Sequence, residues 1–142
     1  MKRICVIDGQ GGGIGSVIIQ KLRERLEDRV EILALGTNAI AATQMLKAKA
    51  NRGASGENAI VQTSKHVDMI ICPISLLLPH TMMGEVTPAM AEALAVTNAF
   101  KIVLPLWNEG FEMVGLTAAP LPHLADDAVN ICEKKLNELE QR

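Results

Sequence analysis

Five glycines stand within seven residues near the start of the chain, in the run DGQGGGIGS at residues 8–16. A short apolar strand precedes this run and a helix follows it directly. Glycines let the backbone turn tightly and let an anion approach its N–H groups, and the helix dipole points its positive end at the same place. The pattern therefore predicts a phosphate site. The predicted ligand contacts here are Gly9, Gln10, Gly11, Gly12, Gly13, Ile14, Gly15 and Ser16.

The spacing of these glycines separates three kinds of phosphate loop. A P-loop needs Lys and Ser or Thr after its last glycine, whereas Ser16 and Val17 follow Gly15, which argues against an ATPase or GTPase. The dinucleotide pattern GxGxxG fails because Ile14 stands where the third glycine belongs. The pattern GxxxGxG fits residues 9–15 and resembles the short-chain dehydrogenases. Their catalytic Tyr-x-x-x-Lys is excluded, since the chain has no tyrosine.

The end of the second predicted strand bears on the choice of nucleotide. An acidic residue about twenty residues beyond the glycine loop usually holds the ribose hydroxyls of NAD. Here the strand ends in Gly36-Thr37-Asn38, with no carboxylate and no arginine. Thr37 and Asn38 can donate to a ribose or to a 2′-phosphate. NAD is therefore disfavoured, while NADP, another nucleotide or a smaller phosphate ligand remains open as the cofactor.

The other polar residues and the cysteines show no spacing typical of a catalytic dyad or a metal-ligand set. Asp8 either holds Mg²⁺ beside a phosphate or, as the favoured interpretation, accepts hydrogen bonds from the loop's own N–H groups. Cys72 ends a strand and is expected to be a buried inert thiol. His80 lies alone in a long loop and is expected on the surface. Asn108 and Glu109 fit either a ligand contact or a hairpin turn.

Strands alternate with helices along the chain, which predicts a three-layer, doubly wound, Rossmann-like α/β fold in one domain, residues 1–142. The strands are predicted at 3–8, 30–35, 67–72, 101–106 and 111–116, and the helices at 14–28, 39–50, 57–64, 88–98 and 123–139, with a loop at 51–56. Asn38, Ser55 and Thr87 are the predicted N-caps of the second, third and fourth helices. Four residues, 107–110, can close a hairpin but cannot hold a crossover, so strand 5 is expected to be an antiparallel edge in a mostly parallel five-stranded sheet. The strand order is 3-2-1-4-5 or 2-1-3-4-5.

The composition bears on the partner and the compartment. The 142 residues are 49% hydrophobic but only 2% aromatic, and the net charge is −2 without a basic stripe. Nucleic-acid binding is not expected, because both phosphate-binding charge and base-stacking rings are scarce. Cys5, Cys72 and Cys132 lie far apart without CxxC spacing, which is typical of reduced thiols in a cytoplasmic protein.

The apolar stretches are short. The first ends at Asp8 after four apolar residues, so no signal peptide is predicted. The longest, at 69–78, is interrupted by Pro73 and Ser75, so no membrane contact is expected.

Three motifs together resemble a known family. They are IDGQGGGIG at 7–15, GTNA at 36–39 and SGENA at 55–59. In combination they resemble a small bacterial family of Rossmann-like domains of unknown function, over nearly the whole chain. The resemblance implies a fold and supplies no catalytic residues.

Two functional hypotheses follow. The first is a nucleotide- or phosphate-ligand-binding domain, with the phosphate on the glycine loop and Thr37 and Asn38 beside a ribose; whether it is an enzyme stays open. The alternative is a non-catalytic interaction or oligomerisation module with an empty or vestigial nucleotide site. In that case the edge of strand 5 would pair two copies as a homo-oligomer.

Overall fold

The computed structural model describes residues 1–107 and 110–141. Five strands and five helices alternate along these residues. They are β1 (Lys2–Asp8), α1 (Gly13–Leu26), β2 (Val30–Gly36), α2 (Ala39–Lys47), β3 (Arg52–Ser55), α3 (Glu57–Thr63), β4 (Met69–Pro73), α4 (Pro88–Val96), β5 (Phe100–Leu104) and α5 (Leu121–Glu140). Short 3₁₀ turns follow α3 and β4, at Ser64–His66 and Ile74–Leu77.

The strands form one parallel sheet in the spatial order β3-β2-β1-β4-β5. The central strand β1 pairs with β2 on one side and with β4 on the other, so that Ile4 lies opposite Ile32 and Met69. Every pairing between neighbouring strands is parallel. The α/β class predicted from the alternating elements is confirmed.

Helices cover both faces of the sheet, and alternate residues of β1 therefore enter two different cores. Ile4 and Val6 pack with residues of α1, α2 and α5 on one face. Cys5 and Ile7 pack with residues of α3 and α4 on the other. Burial on both faces explains why the central strands read as unbroken apolar runs.

The antiparallel edge strand predicted at 111–116 is wrong. Residues 110–120 contain no strand or helix and are exposed along their length. Gly115 lies inside this apolar run with φ 86°, a left-handed conformation that cannot continue a strand. The predicted hairpin turn includes Asn108 and Glu109, which lie outside the described residues.

The fifth strand is instead β3, within the segment predicted as a loop. Its sequence, RGAS, is exposed at every position, so no apolar alternation marks it as a strand. It forms because the outer edge of β2 offers parallel pairing from Leu33 to Gly36. The predicted strands 1 to 4 correspond to β1, β2, β4 and β5, and they lie in the order β2-β1-β4-β5, which is the order 2-1-3-4 of the second alternative. The strand β3, which was not predicted, is added outside β2.

Two helix starts agree with the sequence and one differs. The side chain of Asn38 accepts from the N–H of Ala41, and that of Thr87 accepts from the N–H of Met90, so both predicted N-caps are confirmed. Helix α3 has Gly56 at its N-cap position instead of the predicted Ser55. Within 1–107 and 110–141, none of the helices has the length and apolar character needed to cross a membrane.

Asn51 joins β3 to the rest of the sheet, and its replacement tests how that edge is held. Its Oδ1 accepts from the Ile32 N–H and from Arg23 Nη2, both at 2.7 Å, and its own N–H donates to the Ile32 carbonyl at 2.8 Å. We expect Asn51→Ala to lower the free energy of unfolding in urea by about 1–2 kcal/mol, because the Ile32 N–H loses its acceptor. The control Asn98→Ala, at an exposed position, is expected to change it by less than about 0.5 kcal/mol. Equal losses in the two variants would contradict this role.

Candidate functional site

Three chain segments meet at the carboxyl edge of the sheet. They are the glycine loop between β1 and α1, the Thr37–Asn38 turn between β2 and α2, and the loop at 78–86 between β4 and α4. The chain leaves β1 toward β2 on one side, and β4 lies on the other side of β1. Ligands of open α/β sheets bind at such a switch point. We call this region the crevice.

Asp8 ends β1 beneath the glycine loop and is 2% exposed. Its Oδ1 accepts from the Gly9 N–H and its Oδ2 from the Gly15 N–H, both at 2.8 Å. Burial raises the pKa of the Asp8 carboxyl, against the lowering effect of the N–H groups of Gly15, Gly9 and Ile14. The favoured prediction, that Asp8 caps the loop's own N–H groups, is confirmed. The Asp8 carboxylate therefore occupies the N–H groups of Gly9 and Gly15, which were predicted to bind a phosphate.

Three of the five glycines are required by packing. A Cβ built on Gly9 would lie 2.5 Å from Met82 Sδ, and one on Gly15 would lie 3.0 Å from Met45 Cγ. Gly12 has φ 74°, and its Cβ would lie 2.8 Å from the carbonyl oxygen of Ala41. These positions exclude a side chain because the neighbouring helix, loop and strand approach too closely.

Gly11 and Gly13 are different. A Cβ on either would have no heavy-atom neighbour within 4 Å, and neither has a positive φ. Both residues are exposed, and their N–H groups have no hydrogen-bond acceptor within the described chain. Their glycine identity is therefore not required by the protein's own packing, and their N–H groups are not used by the described part of the chain.

The other predicted loop contacts, at Ser16, Ile14 and Gln10, interact with the protein itself. The N–H of Ser16 donates to the Gly12 carbonyl at 2.9 Å, and its hydroxyl donates to the same oxygen at 2.7 Å. Ile14 is half-buried against the core beneath α1. The Gln10 carbonyl accepts from Asn38 Nδ2 at 3.0 Å, which brings two of the predicted segments into contact.

The crevice contains a second carboxylate, Glu85, that sequence reasoning missed. Its Oε1 accepts from the Gln10 N–H at 2.9 Å, Thr37 Oγ1 at 2.7 Å and Asn38 Nδ2 at 2.8 Å. Burial acts to raise the pKa of Glu85, but the hydrogen bonds from Thr37, Gln10 and Asn38 outweigh it and hold the pKa below its ordinary value. The length of the loop before α4 was the signal that could have pointed to it.

The loop at 78–86 holds Glu85 in place through a buried hydroxyl. Thr81 is 3% exposed, and its Oγ1 donates to the carbonyls of Ser75 at 2.6 Å and Leu78 at 2.9 Å. His80, Met82 and Met83 have positive φ, and the expected cost is of order 1 kcal/mol or more for each. The loop is therefore locked by internal bonds in a conformation that these side chains do not favour.

The remaining candidates add no chemistry to the site. Cys72 is buried, and desolvation raises the pKa of its thiol to about 12, as an inert thiol requires. His80 is exposed, as predicted. Asn108 and Glu109 lie outside the described residues. Over 1–107 and 110–141, no three His, Cys, Asp or Glu side chains group as a metal site would need.

The cavity beside the glycine loop is small. It is lined by Gln10, Ile14, Pro73, Ser75, Met82, Leu106 and Trp107, and its volume is about 70 Å³. Pockets that enclose a drug-sized ligand begin near 300 Å³. This cavity is therefore too small to enclose a nucleotide.

Comparison with known proteins gives one structural likeness and one family match. The chain is similar to the crystal structure of a dodecameric FMN-dependent UbiX-like decarboxylase from Escherichia coli O157:H7, with 13% identity over 89% of this chain and 75% of that one and a TM-score of 0.44. No curated protein matches. A family model described as "Domain of unknown function (DUF3842)" matches residues 3–137. The resemblance to a family of unknown function is thereby confirmed.

Two glycines of α1 form a matched pair that tests which of them packing requires. We expect Gly13→Ala to leave stability unchanged or to raise it by up to about 1 kcal/mol, because alanine favours the helix. We expect Gly15→Ala to lower it by about 1–3 kcal/mol, because the methyl group would press on Met45 and Asp8. Urea unfolding measures both. Equal stability of the two variants would contradict the assignment.

Proposed function

The chain belongs to the family described as Domain of unknown function (DUF3842), and we propose that it is a nucleotide- or phosphate-ligand-binding domain in which residues 1–142 act as one unit. The observation that carries the proposal is the pair Gly11 and Gly13. Both are glycines that packing does not require, and both have free N–H groups beside open space. A ligand that approaches the backbone closely accounts for glycine at these positions.

Electrostatics favours a phosphate at Gly11 and Gly13 rather than elsewhere in the glycine loop. The 14-residue helix α1 begins at Gly13, so the positive end of its dipole lies there. Asp8 already satisfies Gly9 and Gly15, and its carboxylate would repel a phosphate placed over them. The proposed phosphate position therefore narrows from residues 9–16 to the outer surface of Gly11–Gly13.

Thr37 and Asn38 remain beside the proposed ribose, although their hydrogen-bond donors are used within the crevice. Gln10, Thr37 and Asn38 lie together at the carboxyl ends of β1 and β2, and all three donate to Glu85. A phosphate over Gly11 and Gly13 with a ribose toward these groups would run along the edge of the sheet. The proposal is for binding, because the described residues give no nucleophile–base pair to support a reaction.

A thermal-shift panel tests the proposal with ADP-ribose, NAD⁺, NADP⁺, coenzyme A and inorganic phosphate as probes. A probe at a hundredfold its Kd adds about 2.7 kcal/mol of stability. We expect a rise of about 5–10 °C in the midpoint for a nucleotide probe, given the chain length. The double variant Gly11→Ala/Gly13→Ala is expected to fold normally and lose most of that rise, because two methyl groups would fill the phosphate position.

Gly110→Ala is the matched control, since Gly110 is exposed and its Cβ would also meet open space. It is expected to keep the full response. No midpoint rise with any probe would overturn the proposal. A double variant with the same midpoint rise as the wild type would contradict the placement of the phosphate at Gly11–Gly13.

A second candidate function, an interaction module, is favoured by an exposed apolar segment. Residues 110–120, here called the arm, expose Phe111, Met113, Val114 and Leu116, with Val114 95% exposed. Trp107 stacks on Phe111 at 4.8 Å and holds the start of the arm by donating from Nε1 to the Phe111 carbonyl at 2.8 Å. Clustered apolar exposure of this kind marks contact surfaces. The arm would replace the antiparallel edge strand as the route to a homo-oligomer.

Substitution within the arm tests this second candidate. We expect the wild-type chain to form an oligomer at micromolar concentration and Val114→Asp to reduce it to a monomer, because a carboxylate would be desolvated in an apolar contact. Thr117→Asp introduces the same charge at an exposed polar position of the arm and is expected to keep the oligomer. Light scattering coupled to size exclusion gives the mass. A wild-type monomer would count against the module.

A further inference from the structure

We propose that Glu85 is the ribose-binding carboxylate of this site, so that the domain takes a nucleotide with a free ribose diol and discriminates against a 2′-phosphorylated one. The inference rests on the proposed function and names the ligand class within it. It concerns a side chain from the loop between β4 and α4, far along the chain from the strand end where such a carboxylate is usually found.

The position of Glu85 fills the gap that the sequence leaves. The turn after β2 contains Thr37 and Asn38 but no acidic residue. Glu85 lies 47 residues beyond Asn38 in the chain, yet its carboxylate contacts both turn residues. An acceptor therefore stands beside the end of β2, supplied by a different segment.

The geometry leaves this carboxylate free to bind. All three hydrogen bonds go to Oε1, and Oε2 has no hydrogen-bond partner within residues 1–107 and 110–141. Glu85 is half-buried and so remains partly accessible to solvent. One oxygen is held by three donors while the other is available to ribose hydroxyls, as a preorganised acceptor requires.

The loop that carries Glu85 limits its movement. The Glu85 N–H donates to the Met82 carbonyl at 3.1 Å, and the Val86 N–H donates to the Thr81 carbonyl at 3.2 Å. Thr81 is itself buried and bonded to the turn after β4. The carboxylate is therefore fixed relative to β4 as well as to β2.

The negative charge of Glu85 is what discriminates against a 2′-phosphorylated ribose. The hydrogen bonds that lower the pKa of Glu85 keep it ionised at neutral pH. An ionised carboxylate accepts strongly from ribose hydroxyls and repels a 2′-phosphate. The neighbouring Asp8 carboxylate adds to that repulsion, and no arginine lies in the turn at 36–39 to offset it.

A different role for Glu85 predicts the opposite change in ligand affinity when its carboxylate is removed. If its carboxylate occupied the space of the ligand, removing it would tighten binding, since the ligand would no longer have to displace it. The open surface at Gly11 and Gly13 argues for the acceptor role, because Glu85 contacts the loop through Gln10 and leaves both glycines uncovered.

Calorimetric titration with ADP-ribose and 2′-phospho-ADP-ribose tests the inference. We expect the wild type to bind ADP-ribose at least about tenfold more tightly, and Glu85→Gln to bind ADP-ribose about tenfold more weakly, the loss expected for one charge-assisted hydrogen bond. The preference between the two probes should narrow in the same variant. Glu92→Gln, an exposed glutamate on α4, is the matched control and should keep both affinities.

The outcomes separate the two proposals. A wild type that binds both probes equally, or the 2′-phosphorylated one more tightly, overturns the inference without any variant and leaves the binding function intact. Tighter binding of ADP-ribose by Glu85→Gln also overturns it, as does an unchanged preference. A wild type that binds neither probe overturns the inference, and the proposed function fails with it only if the thermal-shift panel also gives no rise with any probe. The thermal midpoint of each variant reports whether it is folded.

Discussion

The buried carboxylate of Asp8 is the interaction on which the rest of the crevice depends. By accepting from Gly9 and Gly15 it joins the end of β1 to the first turn of α1 and fixes the loop between them. A buried charge is tolerated only where hydrogen bonds satisfy it, and here the helix N-terminus provides them. Glycine is required at 9, 12 and 15 because α2, the Thr37–Asn38 turn and the loop at 78–86 approach this loop closely.

Glu85 acts on the other half of the same loop. It draws the Gln10 N–H, the Thr37 hydroxyl and the Asn38 amide to one oxygen, and so ties the ends of β1 and β2 to the loop before α4. The two carboxylates together use the donors around the crevice and leave those of Gly11 and Gly13 free. A loop that looks like one phosphate cradle in sequence is thus divided into a structural part and an open part.

The sequence predicted four of the five strands and all five helices, because buried parallel strands and capped helices leave local patterns. It placed the fifth strand wrongly for two physical reasons. Residues 111–116 have strand-like composition, but Gly115 takes a left-handed conformation and breaks the run. The strand β3 has no apolar pattern because all four of its residues are exposed, and its pairing with β2 is set by the neighbouring edge.

The sequence by itself determined the α/β class, the position of the glycine loop and the capping roles of Asn38 and Asp8, since each depends on residues close together in the chain. Tertiary structure alone decided which glycines have no packing contacts at the Cβ position and that Glu85 lies beside Thr37. Those facts depend on how segments tens of residues apart pack against one another. Local spacing predicts hydrogen bonds within a turn, whereas a contact across 48 residues exists only because the sheet brings both strand ends to one edge.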